Sequence, residues 1–264
     1  AFLMFTPDPI LLSTLWKPNS TRELVKPDSL AYNERGVIGL ERRRYPMHKK
    51  ETVVLLHGLR RTGRSMKKTA QALGEKGYFP VIVDYHSRRH AIEYLADEVL
   101  HEVLESLPRG PSSRVHFVTH SMGGIIVRYY LKNHPMEELG RVVMLSPPNQ
   151  GSELVDLLKD SPVFKILHGP AGQQLGTADR FLKSLGPVHF ELGVIAGLKT
   201  GDHVSGRIIS GPNDGKVGVE RTKVPGMRDF LVVPYSHTFI MRPKAVIDQV
   251  AYFLRHGLFL REPQ

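Results

Sequence analysis

Cysteine is missing from the sequence, and so is any acidic cluster that would favour a metal site. Without cysteine the protein has no disulfide and no thiolate chemistry, although this absence leaves its compartment open. The apolar opening at residues 1–5 is soon followed by Pro7 and Pro9 and is too short to span a bilayer. No helix-turn-helix, zinc-finger or aromatic-basic RNA motif is present. The sequence therefore predicts no metal, no cofactor and no nucleic-acid partner.

Acidic residues are scarce in one part of the chain, between Arg35 and His90. This region holds 14 of the 36 Lys and Arg but only 4 of the 26 Asp and Glu, so the remaining chain carries 22 of each sign. The formal net charge of +10 is therefore local. One interpretation is a solvated basic face. The other is attraction of anionic substrates, or peripheral contact with an anionic membrane surface.

From Thr52 onward, short apolar runs alternate with helical patterns. Buried strands are predicted at 52–57, 78–84, 114–120, 141–146, 190–197 and 229–233. Helices are predicted at 65–76, 91–107, 123–133 and 245–256, the first of them with Ser65 as its N-cap. Apolar strands joined through helices form a mostly parallel sheet that is covered on both faces. The predicted fold class is therefore α/β.

The chain is predicted to contain one domain, at residues 51–264, after an N-terminal extension at 1–50 with edge strands near 36–40 and 42–47. Residues 150–188 lose the strand and helix alternation, with a helix expected at 152–159 and a loop at 169–176. We interpret 150–188 as an insertion over the carboxyl edge of the sheet, where open α/β sheets bind ligands. It is either a cap or lid over an acyl pocket or an ordinary packed helical insertion.

The most informative motif is the junction between the third strand and its helix, Val115-His116-Phe117-Val118-Thr119-His120-Ser121-Met122-Gly123-Gly124. A β-branched run stops at a serine, and small residues and a helix follow at once. Such a sharp turn exposes its central residue above the N-terminal amides of the helix. The motif predicts Ser121 as a nucleophile that attacks carbonyl carbon.

A serine nucleophile needs a base, and the base needs a carboxylate that fixes its tautomer. Among 13 histidines, His237 follows the last predicted strand and lies on the same edge as Ser121, whereas His256 sits late in a helix. Two carboxylates follow the fifth strand, Asp202 and Asp214. Asp214 stands in a tight turn, Asn213-Asp214-Gly215, and is the preferred acid.

Acyl transfer also needs donors for an oxyanion. One is expected from the backbone N–H of Met122, directly after the nucleophile, and the other from Leu59 in the loop after the first sheet strand. Gly58 lets that loop approach closely. We predict that His57, Gly58 and His120 contact substrate.

Five segments together resemble the α/β-hydrolase superfamily, in its bacterial lipase and esterase branch: Leu55-Leu56-His57-Gly58-Leu59, Thr119 to Gly124, Ser146-Pro147-Pro148-Asn149-Gln150-Gly151-Ser152, Asn213 to Val217, and Ser236-His237-Thr238. The resemblance runs from about Thr52 to about Leu258. It implies an α/β-hydrolase fold, Ser121 as nucleophile, Asp214 as acid, His237 as base, and Leu59 and Met122 as oxyanion donors.

The chain departs from the pattern of this branch at two places. Thr119 stands where the elbow usually has glycine, and Asn149-Gln150 replaces a Pro-His type segment. The expected activity is hydrolysis of small-molecule or lipid carboxylic esters through an acyl-enzyme on Ser121. The alternatives are a thioesterase, amidase or acyltransferase with the same triad, or a non-catalytic binding protein. The protein could lie in the bacterial cytoplasm, be exported, or associate with a membrane, and its oligomeric state is left open.

Overall fold

The computed structural model describes residues 31–32, 38–39, 51–107, 114–199 and 208–261. A two-stranded antiparallel ladder pairs β1 (Ala31–Tyr32) with β2 (Ile38–Gly39). The predicted edge strand near 36–40 contains β2, and the one at 42–47 lies outside the described residues. The alternative acid, Asp202, also lies outside them.

Within the described residues, six strands form one parallel sheet in the order β4-β3-β5-β6-β7-β8. Their bounds are β3 Thr52–Leu56, β4 Phe79–Val83, β5 Val115–His120, β6 Leu139–Leu145, β7 Leu192–Gly197 and β8 Asp229–Val233. All six predicted strands, and with them the α/β fold class, are confirmed. Because the strands are parallel, the loops after β3, β5 and β8 leave the same edge of the sheet.

Both faces of the sheet are covered by helices, and alternate residues of one strand pack into different cores. Val54 and Leu56 of β3 join the core beneath the helix at Met122–Asn133, whereas Val53 and Leu55 join the core beneath the C-terminal helix. All four side chains are fully buried. This two-sided burial explains why the strands read as continuous apolar runs instead of alternating ones.

The helices on the two faces differ from the predictions mainly at their ends. A 3-10 turn at Gly63–Met66 leads into α1 (Lys67–Glu75). Ser65 therefore lies inside the first turn, where its hydroxyl donates to the carbonyl of Thr62, and the predicted N-cap is wrong. The helix predicted at 91–107 consists of α2 (Ile92–Tyr94), a π-helical turn and α3 (His101–Ser106).

The remaining helices are α4 (Met122–Asn133), α5 (Glu153–Leu158), α6 (Pro162–Gln173), α7 (Arg180–Leu185), α8 (Val219–Thr222) and α9 (Lys244–His256). Helix α6 extends into the predicted loop at 169–176, with a kink at Gly169, where φ is 64°. Residues 150–188 thus contain three helices where the sequence predicted one. None of the described helices combines the length and apolar character needed to cross a membrane.

Candidate active site

Ser121 stands at the turn between β5 and α4 in a strained backbone conformation. Its φ of 52° and ψ of −123° are unusual for a residue with a side chain. A Cβ atom at Gly123 would lie 2.9 Å from the carbonyl oxygens of Leu56 and His57, so only glycine lets α4 start this close to β3. Gly124 leaves room for the unusual Thr119. A Cβ atom at Gly124 would lie 3.2 Å from the hydroxyl of Thr119.

The imidazole of His237 lies between the Ser121 hydroxyl and the Asp214 carboxylate. Nε2 of His237 is 2.9 Å from Oγ of Ser121, and Nδ1 is 2.8 Å from Oδ2 of Asp214. All three residues are buried, with Ser121 8% and Asp214 2% exposed. Because a carboxylate only accepts, Nδ1 carries a proton and Nε2 of the neutral ring is free to accept the hydroxyl proton.

The acid is held by its own turn and by the end of β6. Oδ1 of Asp214 accepts the backbone N–H groups of Lys216 and Val217 at 3.0 and 2.9 Å. The hydroxyl of Ser146 also hydrogen-bonds the carboxylate. Burial raises the pKa of Asp214, but His237, Ser146 and the Val217 amide together outweigh it and hold this pKa below its ordinary value. The acid is therefore ionised at neutral pH.

Ser146 is a site residue that the sequence did not reveal. It is fully buried at the end of β6, with a positive φ of 47°, and its Oγ accepts the Gly197 N–H at 3.2 Å. It therefore links β6, β7 and the acid. The only feature of the sequence that could have indicated Ser146 is its position at a strand end on the catalytic edge. Other serines in loops on that edge share this feature, so it does not single out Ser146.

The loop of His237 is fixed through its main chain. The His237 N–H donates to the carbonyl of Asp214 at 3.1 Å. The guanidinium of Arg61 donates to the next carbonyl, that of Thr238, at 2.9 Å. The imidazole thus has little freedom to move away from the serine.

His120 occupies a different setting from the predicted contact with substrate. Its ring is 2% exposed, lies 4.9 Å from the ring of His237, and has Nε2 2.9 Å from the His237 carbonyl. A carbonyl only accepts, so Nε2 carries the proton. Burial, and then the neighbouring His237, lower the pKa of His120 well below its usual range, which keeps the ring neutral. These contacts suit a residue that positions the base.

His57 is likewise enclosed by protein. Its fully buried ring stacks on Tyr85 at 4.0 Å, with Nδ1 2.9 Å from the Gly58 carbonyl and Nε2 3.2 Å from Asp84. The phenol of Tyr85 donates to the His57 carbonyl. Burial and the charge of Asp84 raise the pKa of Tyr85, so the phenol keeps its proton. The ring of His57 therefore supports the loop before Leu59, and its predicted contact with substrate stays a prediction.

Gly58 brings that loop against the serine. A Cβ atom at Gly58 would lie 2.8 Å from Nδ1 of His120 and 3.1 Å from Cβ of Ser121. The N–H groups of Leu59 and Met122 donate to no protein acceptor within the described part of the chain. Met122 opens α4, where backbone donors lack an intrahelical partner. Both predicted oxyanion donors are therefore available to a ligand.

The insertion at 150–188 is attached to the site at several points. The buried guanidinium of Arg128 donates to the carbonyls of Asn149 and Gly186, which stand at its two ends. Near its start, the Ser152 hydroxyl donates to the Lys216 carbonyl at 2.6 Å, beside the acid. In α6, a Cβ atom at Gly172 would lie 3.2 Å from the side chain of Leu59. The insertion therefore borders both the acid loop and the proposed oxyanion loop.

Comparison with known proteins gives a family model and a set of solved structures. Residues 46–147 match the model described as "Putative serine esterase (DUF676)". No curated protein matches the chain at a significant level. The mature lipase BlEst2 of Bacillus licheniformis is 23% identical, with a TM-score of 0.63 over 80% of this chain and 94% of that one.

Two further solved structures show the same fold. A metagenomic carboxyl esterase is 19% identical, with a TM-score of 0.61 over 79% of this chain and 76% of its own. Phospholipase PlaB of Legionella pneumophila is 17% identical, with a TM-score of 0.60 over 80% of this chain and 60% of its own. Together with the parallel sheet, these matches show that the chain has the α/β-hydrolase fold expected from the sequence.

Proposed function

We propose that the protein is a serine hydrolase that cleaves carboxylic esters, with Ser121 as nucleophile, His237 as base and Asp214 as acid. The observation that carries this proposal is the continuous hydrogen-bonded line from the Ser121 hydroxyl through His237 to Asp214, at 2.9 and 2.8 Å. The strained backbone at Ser121 supports it, because strain of this kind clusters at active sites. The esterase model matched by residues 46–147 supports it too.

In the first step, Oγ of Ser121 attacks the ester carbonyl carbon while Nε2 of His237 takes the hydroxyl proton. The carbonyl oxygen becomes an oxyanion that accepts the N–H groups of Leu59 and Met122. Collapse of this intermediate breaks the bond to the alcohol, which leaves with the proton from His237. The products of the step are an acyl-enzyme and a free alcohol, and Asp214 stabilises the imidazolium between the two proton transfers.

In the second step, water attacks the acyl-enzyme and gives one proton to His237. The tetrahedral intermediate returns the pair of electrons to Oγ of Ser121, which regains its proton from His237, and the carboxylic acid leaves. One water is consumed for each ester. Loss of a single oxyanion donor raises the barrier by about 2.7–4 kcal/mol in comparable enzymes. The contacts that orient the loop of Leu59 therefore contribute to catalysis in addition to the triad.

We further propose that residues 150–188 are a cap over the site, within a catalytic domain that covers residues 51–264. Its contacts with Leu59 and Lys216 support this role. Three of its apolar side chains are largely exposed: Leu157, Val163 and Ile166 at 61%, 63% and 78%. An apolar outer face suits an enzyme whose substrates carry acyl chains. Lipases and a phospholipase among the solved structures support ester or lipid substrates.

The test is turnover of a series of chromogenic esters of increasing acyl length by the native enzyme and by Ser121→Ala. We expect Ser121→Ala to lose at least about 10⁴-fold in kcat while unfolding at the same temperature as the native protein. Ser106→Ala, which removes an exposed hydroxyl far along α3, is the matched control and keeps full turnover. Matched thioesters and amides with the same acyl chain decide between ester hydrolysis and its alternatives. Undiminished turnover by Ser121→Ala refutes the proposal.

A further inference from the structure

Several cations near the catalytic edge have no carboxylate partner among the described residues, and Arg60, Arg88 and Lys216 are three of them. Each is exposed. Arg141 and Arg228, by contrast, both contact Glu191. An unpaired group of like charges is unfavourable for the folded protein unless it serves to attract an anion.

The three cations come from separate loops that meet beside the catalytic groups. Arg60 follows the proposed oxyanion donor Leu59, and its backbone N–H is held by the hydroxyl of Ser87 at 3.0 Å. Lys216 is two residues from Asp214, so its Cα lies within about 7 Å of the Cα of the acid. Its own N–H donates to the Asp214 carboxylate. The main chain of Lys216 is thus fixed to the acid, and that of Arg60 is fixed to the loop after β4.

Arg88 reaches the same area through the cap. A Cβ atom at Gly169 would lie 1.8 Å from the carbonyl of Arg88, so the kink of α6 rests directly on the loop after β4. The neighbouring residue, His168, has its ring stacked on Phe164. Burial lowers the pKa of His168, and Arg60, Lys216 and Arg88 each lower it further. The ring of His168 thus lies in the positive field of all three cations, next to the kink of α6 that rests on the loop after β4.

We propose that Arg60, Arg88 and Lys216 form a subsite for an anionic group of the ester substrate, phosphate-like in charge, located next to the scissile carbonyl. This inference rests on the proposed function and names the substrate class of the same site. The positions favour it, since one cation follows the oxyanion loop, one follows the acid, and one lies under the cap. A unit positive charge about 6 Å from a unit anion in a water-like dielectric strengthens binding about threefold.

The experiment compares two soluble esters with the same short acyl chain, 1-butyrylglycerol and 1-butyrylglycerol 3-phosphate, as monomers at low ionic strength. We expect the native enzyme to have the higher kcat/KM for the phosphorylated ester. In Arg60→Gln/Arg88→Gln the ratio of the two kcat/KM values falls about tenfold, since two charges are removed. In the matched control, Lys68→Gln/Arg114→Gln, two exposed cations are removed, the second of them at the amino edge of the sheet opposite the catalytic edge, and the ratio stays at the native value. Added salt lowers the native ratio.

The outcomes separate the two proposals. Turnover of the neutral ester without any preference for the phosphorylated one overturns the subsite and leaves the esterase intact, and so does an unchanged ratio in Arg60→Gln/Arg88→Gln. Turnover of neither ester, nor of any chromogenic ester, overturns the proposed function itself. A preference that arises only on vesicles containing anionic lipid, and not with the soluble pair, also overturns the subsite, because surface charge then explains it.

Discussion

The hydrogen bonds around Asp214 dictate what an asparagine would do in its place. Oδ1 of Asp214 accepts two backbone N–H groups, those of Lys216 and Val217. An amide NH2 group at the position of Oδ1 would face two donors. In Asp214→Asn the amide oxygen therefore occupies that position. The NH2 group then takes the position of Oδ2, directed at Nδ1 of His237, 2.8 Å away in the native protein. The Ser146 hydroxyl can rotate to accept from the same group.

An NH2 group can only donate, so it stabilises the tautomer in which Nδ1 of His237 is bare and Nε2 carries the proton. Nε2 then has no lone pair for the hydroxyl proton of Ser121. We expect kcat/KM to fall about 10⁴-fold, the loss that the wrong tautomer causes in a serine hydrolase triad. The assay is hydrolysis of a chromogenic butyrate ester, with thermal unfolding of the same preparation. The unfolding temperature should stay near the native value, because both backbone donors keep their acceptor.

Two companion variants sharpen this prediction. Asp214→Ala leaves the N–H groups of Lys216 and Val217 without an acceptor, and we expect it to lose about 1–3 kcal/mol of stability for each unsatisfied buried donor, in addition to activity. Asp202→Asn changes the other carboxylate that the sequence offers as an acid, and should retain native kcat/KM. More than a tenth of native activity in a folded Asp214→Asn protein would refute the reasoning. Loss of activity in Asp202→Asn would indicate that Asp202 is the acid instead of Asp214.

Two further predictions concern positioning and stability. His120→Ala removes the donor to the His237 carbonyl and should lower kcat about tenfold with KM little changed. His120→Gln keeps an N–H donor and should recover most of the lost kcat. Equal losses of kcat for both variants in steady-state kinetics would contradict the positioning role of His120. Asp229 accepts the Phe259 N–H and pairs with Arg261. Burial raises the pKa of Asp229, but these partners lower it overall. The stability that the ionised carboxylate contributes is therefore complete above pH 3.8, the ordinary pKa of the group, and is lost as the pH falls through the depressed pKa. Denaturant unfolding should show that Asp229→Asn lowers the free energy of unfolding by about 2 kcal/mol at pH 7, and by less at a pH below the depressed pKa of Asp229. An equal loss at the two pH values would contradict this prediction.

The sheet was predictable from sequence because its strands are buried on both faces. Thr52–Leu56 contains only buried apolar and β-branched residues, and Val115–His120 is also buried throughout although it includes two histidines. The predicted ends differ from the observed ones by one or two residues, since frayed ends depend on neighbouring loops. The alternation of strands and helices indicates parallel pairing, but it does not say which strands are neighbours, so the order β4-β3-β5-β6-β7-β8 was not predicted.

The insertion at residues 150–188 was less predictable because its helices contradict local preferences. Gly169 and Pro170 favour a loop, yet helical hydrogen bonding continues on both sides of a kink whose glycine lies against Arg88. Ser65 has the preference of an N-cap, but packing extends the helix with a 3-10 turn before it. In both cases tertiary contacts outweigh propensities that differ by about 1 kcal/mol or less per residue.

The candidate site also contains residues that could be predicted from the sequence and residues that could not. Ser121, His237 and Asp214 could be proposed from the strand-to-helix motif and the order of residues along the chain. Ser146 could not, because it acts through a hydrogen bond to a carboxylate 68 positions later in the sequence. The enclosed rings of His57 and His120 were also unforeseen, since burial depends on how Tyr85 and His237 pack against them.

The central claim, that Ser121 is an activated nucleophile, is tested most directly by a fluorophosphonate probe followed by intact-mass and peptide mass spectrometry. The account predicts one adduct per chain, located on Ser121, absent from Ser121→Ala and formed far more slowly in Asp214→Asn. A native, folded protein that takes up no probe, or an adduct that persists in Ser121→Ala, would contradict it.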